Sequence, residues 1–333
     1  MMKKTGVFLL ILFITTFAFT EVVKTFPDLM RPGRIMVDKD KLYILEFPHI
    51  YIYSLDDFRL IKKFGRQGEG PQEFMGALNI TAYTDHIIVN SQGKISYWTK
   101  SGEFIREKKC PFAGGVEPLG PDMFVGNGFK RGDTERDKNY NTIDLYDSNF
   151  KKIREIDRKE AGFQNRGLTV FAQTYYFINS RTKNMIYVIG KEGFEINVFD
   201  ENAKKLFTIK EGYKELKVTK ADEKEAHEYF KRIFPRLYEA NKHLIKFADY
   251  KPAIRNFLEY DKKVYVETYN VKEGKVEFYV FGQDGKLLKR VFLPVVKQDF
   301  RTNYPYFIDG GKLYHLVESE DEELWELRVT EVD

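Results

Sequence analysis

A short strand pattern recurs along the chain and constrains its fold more than any other feature. Each copy alternates apolar and other residues and is followed by a polar turn and a second run of basic and apolar residues. Period-two alternation indicates β-strands that bury one face. The chain is therefore predicted to consist of repeated antiparallel sheets. The copies begin at Ile50, Ile95, Ile143, Ile196, Phe278 and Leu324.

A further strand-like run precedes each copy, and its spacing gives the size of the repeat. Four of the five intervals between these runs are 37 to 52 residues long and the fourth interval is 88. One blade of a β-propeller takes roughly 40–50 residues in four antiparallel strands. The sequence therefore predicts an all-β fold, a six-bladed β-propeller over residues 21–333. Two separate β domains are the alternative, but no Pro- or Ser-rich linker divides the repeats. The runs begin at Leu42, Ile87, Phe124, Tyr176, Val264 and Leu313.

The last repeat lacks a fourth strand, because the chain ends at Asp333 directly after the copy at Leu324. Residues 21–27 contain a spare strand-like run near the other end of the array. We expect residues 21–27 to complete the last blade. Closure of this kind would remove two exposed sheet edges together.

Residues 219–247 fall in the 88-residue interval and form a helical insertion between blades 4 and 5. Thr219 and Asp222 have the spacing of a capping box, and Pro235 should divide the segment into two helices. Two placements are open. The insertion either caps the channel mouth or packs on the propeller surface, where it would bury Phe230, Phe234, Leu237 and Leu244.

The charge balance excludes one class of partner. The 54 Lys and Arg residues are nearly matched by 50 Asp and Glu residues, and both signs are interleaved along the chain. Nucleic-acid binding normally shows a concentrated basic stripe that follows the phosphates. No such stripe is visible, so no nucleic-acid partner is predicted.

Residues 1–20 have the layout of a secretory signal peptide. Lys3 and Lys4 precede an uncharged apolar run over 6–19, which is short for a membrane span. An uncleaved anchor is the alternative. No Cys lies near residue 20, so we expect a periplasmic or secreted protein that is not a lipoprotein and has no membrane span after cleavage. Cys110 is the single cysteine, so no internal disulfide can form, and a small buried side chain is expected there.

The segment between blades 1 and 2 is rich in glycine and reads FGRQGEGPQEF over 64–74. It resembles the inter-blade signature of NHL-type propellers and is similar to secreted bacterial six-bladed β-propellers, a group that also resembles TolB-like propellers. The resemblance implies an architecture and no particular reaction. Glycines permit positive φ in a tight crossing and proline fixes a turn. The matching residues, predicted to be structural, are Gly65, Gly68, Gly70, Pro71, Glu73 and Phe74.

Polar residues follow the second strand of each blade, and these loops should face the same end of the ring as the crossings between blades. Carboxylate and amide oxygens that converge on a channel could hold Ca²⁺, a cation that prefers oxygen ligands. Such rings resemble those of metal-dependent lactonase propellers, although no spacing here matches that family closely. Polar residues also occur at such positions simply to accept turn hydrogen bonds. The candidate rim residues are Glu46, His49, Asn90, Asn127, Arg131, Asn179, Arg181, Glu267, Asn270 and Glu318.

Two functional hypotheses follow from this inventory. The first is a monomeric extracytoplasmic binding or scaffolding propeller that recognises a peptide, glycan or protein on its top face. The second is a metal-dependent hydrolase or lyase with Glu46 and Glu267 as ligands or bases. No cofactor is predicted and no catalytic residue is assigned, because the chain has neither His-x-x-x-His nor Gly-x-Ser-x-Gly.

Overall fold

A computed structural model confirms the six-bladed β-propeller with a helical insertion between blades 4 and 5. Each blade is a four-stranded antiparallel sheet whose first strand lies next to the central channel and whose last strand lies outermost. The structure describes residues 20–76, 79–83, 85–111, 116–120, 123–132, 138–160, 168–172, 177–179, 185–319 and 324–332. The predicted signal peptide lies outside these ranges, apart from Thr20.

The first half of the chain forms three blades. Strand β1 (Glu21–Phe26) comes first and belongs to the last blade. Blade 1 contains β2 (Arg34–Asp38), β3 (Lys41–Glu46), β4 (His49–Ser54) and β5 (Leu60–Phe64). Blade 2 contains β6 (Asn79–Ala82), β7 (His86–Ser91), β8 (Lys94–Thr99) and β9 (Phe104–Lys109). Blade 3 contains β10 (Val116–Pro118), β11 (Met123–Lys130), β12 (Tyr140–Asp147) and β13 (Lys152–Glu160).

The second half forms the other blades and the insertion. Strand β14 (Leu168–Val170) lies in the crossing from blade 3 to blade 4. Blade 4 contains β15 (Phe177–Asn179), β16 (Ile186–Ile189), β17 (Glu195–Phe199) and β18 (Lys205–Lys210). The insertion contains α1 (Lys220–Ile233), α2 (Pro235–Asn241), a 3₁₀ turn (Lys242–Leu244) and β19 (Ile245–Phe247). Blade 5 contains β20 (Asn256–Tyr260), β21 (Lys263–Lys272), β22 (Lys275–Gly282) and β23 (Leu287–Leu293). Blade 6 contains β24 (Tyr306–Asp309), β25 (Lys312–Glu318) and β26 (Trp325–Glu331), with β1 as its outer strand.

One aromatic side chain recurs at the same position of the third strand in five blades and is buried in each. At this residue the pairing with the outer strand shifts register, which marks a β-bulge. A bulge increases the local twist of the sheet. The bulky ring and the twist together fill the space between neighbouring blades. The residues are Tyr53, Trp98, Tyr146, Phe199 and Phe281.

Strand β1 supplies the outer strand of blade 6 by pairing antiparallel with β26. Phe26 lies opposite Trp325 in this pair and is only 3% exposed. Its ring centre is 4.9 Å from that of Tyr53 in blade 1. The two ends of the blade array therefore meet in one sheet, and Phe26 also packs across the junction between the last blade and the first.

Blade 4 differs from its prediction by one strand. The run that begins at Tyr176 was assigned to the second strand, but β15 is the first strand and β16 is the second. All four residues of β16 are buried, so this strand shows no alternation between apolar and polar positions. A search based on period two therefore misses β16. Tyr176 itself lies outside the described residues.

The insertion begins with the expected capping box. The Thr219 hydroxyl accepts from the backbone N–H of Asp222, whose carboxylate in turn accepts from the backbone N–H of Thr219. Pro235 is the first residue of α2. An N–H group at this position has no acceptor within the helix, so proline breaks no helical hydrogen bond there. Phe234, which directly precedes α2, is 43% exposed, and Leu237 within α2 is 65% exposed. Packing on the propeller surface, one of the two placements left open by the sequence, would bury both side chains, and this burial is not observed.

The glycine-rich crossing folds tightly around Glu73 and Phe74. The Glu73 carboxylate accepts from the Gly70 N–H at 2.7 Å and pairs with Arg66 at 2.8 Å. Phe74 is fully buried, and its ring centre lies 6.1 Å from that of Trp98 in blade 2. Pro71 lies in the turn that connects Gly70 to Glu73. The segment thus places the Phe74 ring at the junction of blades 1 and 2.

Gly65→Ala is expected to lower the free energy of unfolding by at least about 2 kcal/mol. Gly65 has φ +94°, and an added Cβ would lie 2.5 Å from the Phe74 ring and 2.6 Å from the Pro48 carbonyl oxygen. Gly212→Ala is the matched control, because its added Cβ meets no heavy atom within 4 Å. Urea denaturation of both variants measures the difference. Equal midpoints would contradict this account of the crossing.

Candidate functional site at the channel mouth

The innermost strands β2, β6, β10, β15, β20 and β24 surround a central cavity of about 610 Å³. Each of these strands begins at the crossing from the preceding blade, so their first residues meet at one end of the channel. We call this end the mouth. Ligand sites in proteins are typically concave and about 300–1,000 Å³ in volume. The channel therefore has the size of a ligand site.

A buried ion pair lies at the mouth between blades 5 and 6. Arg255 contacts the Glu267 carboxylate at 2.9 Å, and the two side chains are 13% and 1% exposed. Asn303 and Tyr306 also donate to this carboxylate, at 2.8 and 2.9 Å. Burial, together with the negative charge of Glu267, raises the pKa of Tyr306 well above its usual value. The tyrosine therefore stays protonated and remains a donor.

A second polar network spans the first three blades. Arg34 donates to the side-chain oxygen of Asn79, whose amide nitrogen donates to Glu117. Thr81 donates to the other carboxylate oxygen of Glu117 at 3.5 Å. Blade 4 contributes Phe177 and Ile178 to the lining, and apolar residues of blades 1, 2, 5 and 6 line the cavity as well. The wall thus mixes polar and apolar side chains around its circumference.

Two polar groups at the mouth lack partners among the described residues. Arg301 lines the cavity and is exposed, and its guanidinium group makes no ion pair or hydrogen bond there. The side-chain oxygen of Asn303 is buried and accepts no hydrogen bond from that part of the chain. An unsatisfied buried acceptor destabilises a protein by about 1–3 kcal/mol. The Arg301 guanidinium is therefore available to a ligand, whereas the Asn303 oxygen is enclosed by the protein.

The insertion packs next to the mouth through an aromatic cluster. The Phe300 ring contacts Tyr229 and Phe230 of α1, with ring centres 5.8 and 6.2 Å apart. Tyr269 receives the Arg255 guanidinium over its face at 5.6 Å. Lys251, which follows the insertion, pairs with Asp222 of α1 at 2.7 Å. Strand β19 also pairs in parallel with β14. The insertion, two crossings and the Arg255 site are thus in contact.

His315 lies behind the mouth on β25, with its ring centre 6.3 Å from that of Tyr306. Burial lowers the pKa of His315 to about 4, and the positive charge of Arg328 adds to this effect. An unfolded histidine has a pKa of about 6.5. The native state therefore binds fewer protons than the unfolded state between these two values.

The free energy of unfolding is expected to fall as the pH drops from about 6.5 to 4, and His315 contributes on the order of 3 kcal/mol of this loss. The sign follows because only the unfolded state gains the proton in this range. His315→Gln removes the contribution, so its stability should decline less steeply with pH than that of the wild type. Urea denaturation across this pH range measures both slopes, and equal slopes would contradict the assignment.

Of the predicted rim residues, Glu267 lines the channel. Glu46 accepts from the backbone N–H of Met30 at 2.5 Å and of Arg31, and from the Tyr51 hydroxyl at 3.2 Å. His49 bonds to the Gly65 carbonyl oxygen at 2.8 Å. These contacts hold Glu46 and His49 against the loops beside blade 1.

The other rim candidates are dispersed. The side-chain nitrogen of Asn90 donates to the Val116 carbonyl at 2.6 Å. Glu318 accepts from the Tyr304 hydroxyl at 3.4 Å. Asn127 and Arg131 are exposed on and just after β11, and Asn270 lies in a small pocket beside Thr268. Asn179 ends β15, an innermost strand, so it falls at the opposite end from the mouth, whereas Arg181 lies outside the described residues.

Sequence reasoning missed the mouth residues because it used only the more strongly patterned strands. The first strand of a blade is short and alternates only weakly, so the sequence pattern does not single out its polar first residue. The spacing to the second strand does single it out. Arg34, Asn79 and Asn256 each stand 8 positions before the predicted second strands at Leu42, Ile87 and Val264.

Two further findings concern a metal site and a membrane-spanning helix. Over the part of the chain that the structure describes, no group of three or more His, Cys, Asp or Glu side chains is placed to hold a metal ion. No helix among the same residues is long and apolar enough to span a membrane.

One of three solved structures similar to this chain supports the fold, the member of the DUF4221 family. A member of the DUF4221 family from Bacteroides vulgatus is similar over 94% of this chain and 97% of its own, with TM-score 0.51 and 12% identity. BamB from Moraxella catarrhalis matches with TM-score 0.30 and 10% identity over 88% of this chain and 71% of its own. The β-propeller domain of Cps50 (Swd1) from Myceliophteria thermophila matches with TM-score 0.40 and 9% identity, over 93% and 99% of the two chains.

At 12% identity the likeness to the DUF4221-family structure shows the fold alone. No model of a known protein family matches the sequence, and no curated protein matches it either. The likeness of the glycine-rich crossing to NHL-type propellers stays a prediction. A propeller fold is in general compatible with a binding or scaffolding module.

Proposed function

We propose that this protein is an extracytoplasmic binding module that holds a peptide, glycan or protein ligand at the mouth of its channel. One observation carries the proposal. The mouth combines an exposed guanidinium group that has no partner among the described residues, on Arg301, with a cavity of ligand size. The signal-peptide pattern of residues 1–20 supports the location outside the cytoplasm.

The mouth is built as a fixed recognition surface. Arg255 is held by Glu267, and the Glu267 carboxylate is held in turn by Asn303 and Tyr306. Side chains that are already positioned lose little conformational freedom when a ligand binds. The network therefore holds the side chains of this part of the mouth in one arrangement, which favours selective binding.

The hydrolase or lyase hypothesis would use Glu46 and Glu267 as metal ligands or bases. Both carboxylates already accept several hydrogen bonds from the protein. Nothing in their surroundings favours an enzyme over a binding module. The binding function is therefore the one that we propose.

A thermal-shift screen with peptide and glycan panels tests the proposal. A ligand at one hundred times its Kd stabilises the native state by about 2.7 kcal/mol, which raises the melting temperature by about 5 °C. The comparison variant is Gly33→Leu, which adds a side chain at a residue that lines the cavity. Its Cβ would have its nearest neighbour 4.0 Å away, so the variant should fold.

We expect ligands that stabilise the wild type and leave Gly33→Leu unchanged. Equal stabilisation of both proteins would place the binding site elsewhere. The absence of any stabilising ligand in both panels would also contradict the proposal.

A further inference from the structure

We propose that the corner between α1 and α2 binds the surface of a bilayer that contains anionic lipids. The corner comprises residues 231–237, which are the last three residues of α1, Phe234 and the first three residues of α2. Such a contact is independent of the channel and its ligand, and it involves one surface of the bilayer without a membrane span. Exposed apolar side chains, a concentration of positive charge and the anchoring of α1 support it.

Three large apolar side chains are exposed together at this corner. Ile233, Phe234 and Leu237 are 45%, 43% and 65% exposed, and every residue from 231 to 237 is exposed. Single exposed apolar residues are common on protein surfaces, whereas a contiguous apolar patch rimmed by polar residues marks an interaction site. Helix α2 buries none of its residues, so the described part of the propeller leaves the patch uncovered.

Positive charge is concentrated around the same patch. Residues 231–246 contain five Lys and Arg side chains and one Glu, so their net charge of +4 equals that of the whole chain. Of these five, Lys242 pairs with Glu239 at 2.9 Å. The other four are exposed and form no ion pair with a described residue. They are Lys231, Arg232, Arg236 and Lys246.

Charge and apolar surface together indicate the kind of partner. Helices that carry basic residues beside Phe and Leu bind at the bilayer interface, where the apolar side chains enter the acyl boundary and the basic ones attract anionic lipids. A purely hydrophilic polyanion would leave Phe234 and Leu237 in water. A second copy docked corner to corner would bring two positive regions together, which is unfavourable. An anionic bilayer accommodates both the charge and the apolar side chains.

The preceding turns of α1 hold the corner in place. Asp222 pairs with Lys251 at 2.7 Å, Ala226 is fully buried, and the Phe230 ring packs on Phe300 with ring centres 6.2 Å apart. Phe230 is one position before the exposed corner. The apolar side chains therefore stand on an anchored helix, and little backbone freedom is lost when they bind.

Flotation with lipid vesicles tests the proposal. The protein is used from residue 20 onward, where the described fold begins, because the apolar run over 6–19 would itself enter a bilayer. Vesicles of phosphatidylcholine with about 30% phosphatidylglycerol are compared with vesicles of phosphatidylcholine alone. We expect binding to the anionic vesicles that weakens as salt rises from about 0.05 to 0.5 M, and at least about tenfold weaker binding to the neutral ones.

The apolar contribution is tested by the double variant Phe234→Gln with Leu237→Gln. It should weaken binding to the anionic vesicles at least about tenfold, because two exposed apolar side chains no longer enter the bilayer. The matched control is Leu206→Gln with Leu288→Gln, which replaces side chains 46% and 55% exposed on β18 and β23. This control should bind like the wild type.

The electrostatic contribution is tested by Arg232→Gln with Arg236→Gln, which should weaken binding about thirtyfold. Arg59→Gln with Lys286→Gln is the control, because it removes two exposed positive charges from turns in blades 1 and 5 and should bind like the wild type. All four double variants replace exposed side chains, so their midpoints in urea should stay close to that of the wild type.

Four results would overturn the proposal. These are equal binding to anionic and neutral vesicles, no binding to either, unchanged binding of the apolar double variant, and unchanged binding of the arginine double variant. The second result would leave an acidic protein as the candidate partner of the corner. The third would show that the contact is with charge alone.

Discussion

Arg255→Ala is expected to lower the free energy of unfolding by about 3–5 kcal/mol. The substitution leaves the carboxylate of Glu267, which is 1% exposed, without its counterion inside the protein. The gain from a buried ion pair is small compared with the loss when one partner is removed, because the other charge stays desolvated. Urea denaturation monitored by tyrosine and tryptophan fluorescence measures the loss.

Two further variants separate this mechanism from a general effect of losing an arginine side chain. Lys312→Ala removes an exposed pair with Glu331 and should change stability by less than about 0.5 kcal/mol. Adding Glu267→Gln to Arg255→Ala removes the orphaned charge, so the double variant should regain part of the lost stability. A double variant less stable than Arg255→Ala, or a single variant no worse than Lys312→Ala, would contradict the account.

Phe26→Ala is expected to lower the free energy of unfolding by about 3–5 kcal/mol, as for other buried phenylalanines. Phe26 is 3% exposed, pairs with Trp325 of the last blade and packs on Tyr53 of the first. Its loss creates a cavity where the two ends of the array meet. Strand β1 closes the ring, so we expect much of the lost stability to come from weaker attachment of β1 at this closure.

Val22→Ala is the control on the same strand. Val22 is 47% exposed, so its truncation should cost less than about 0.5 kcal/mol. Urea denaturation of both variants gives the comparison. If Phe26→Ala were no more destabilising than Val22→Ala, β1 would be a loosely attached strand and not the closure of the ring.

The ring could be predicted from the sequence because five of the six blades repeat one buried aromatic residue. Tyr53, Trp98, Tyr146, Phe199 and Phe281 mark the third strands of these blades, and each ring fills the space beside a neighbouring blade. Because the same packing between blades recurs along the chain, the sequence shows a periodic pattern of aromatic residues. The helical insertion was equally clear, because the capping box at Thr219 and the break at Pro235 are local features.

The mouth could not be predicted in the same way, because its residues come together only when the ring is closed. Arg255 and Asn303 belong to different crossings and meet at Glu267 across a blade junction. No local spacing connects them in the sequence. Glu46 and Glu267 are both predicted as rim residues from their position at the second strand of a blade, yet Glu46 faces backbone donors of the loop at Met30 and Arg31. Glu46 and Glu267 occupy similar positions in their strands, but their surroundings differ.

The central claim is that ligands bind at the channel mouth, and protection of an introduced cysteine tests it most directly. Thr302 is exposed and lines the cavity, whereas the native Cys110 is buried and should react slowly. Ser101→Cys is the control, because Ser101 lies in the exposed turn between β8 and β9, at the other end of the ring.

The measurement is the rate of maleimide labelling of Thr302→Cys and Ser101→Cys, with and without a ligand that stabilises the wild type. At ligand concentrations well above the Kd, we predict labelling of Thr302→Cys at least about tenfold slower, as for a site more than nine-tenths occupied. Labelling of Ser101→Cys should be unchanged. Unchanged labelling at residue 302, or equal protection at both positions, would contradict the claim that the ligand occupies the mouth.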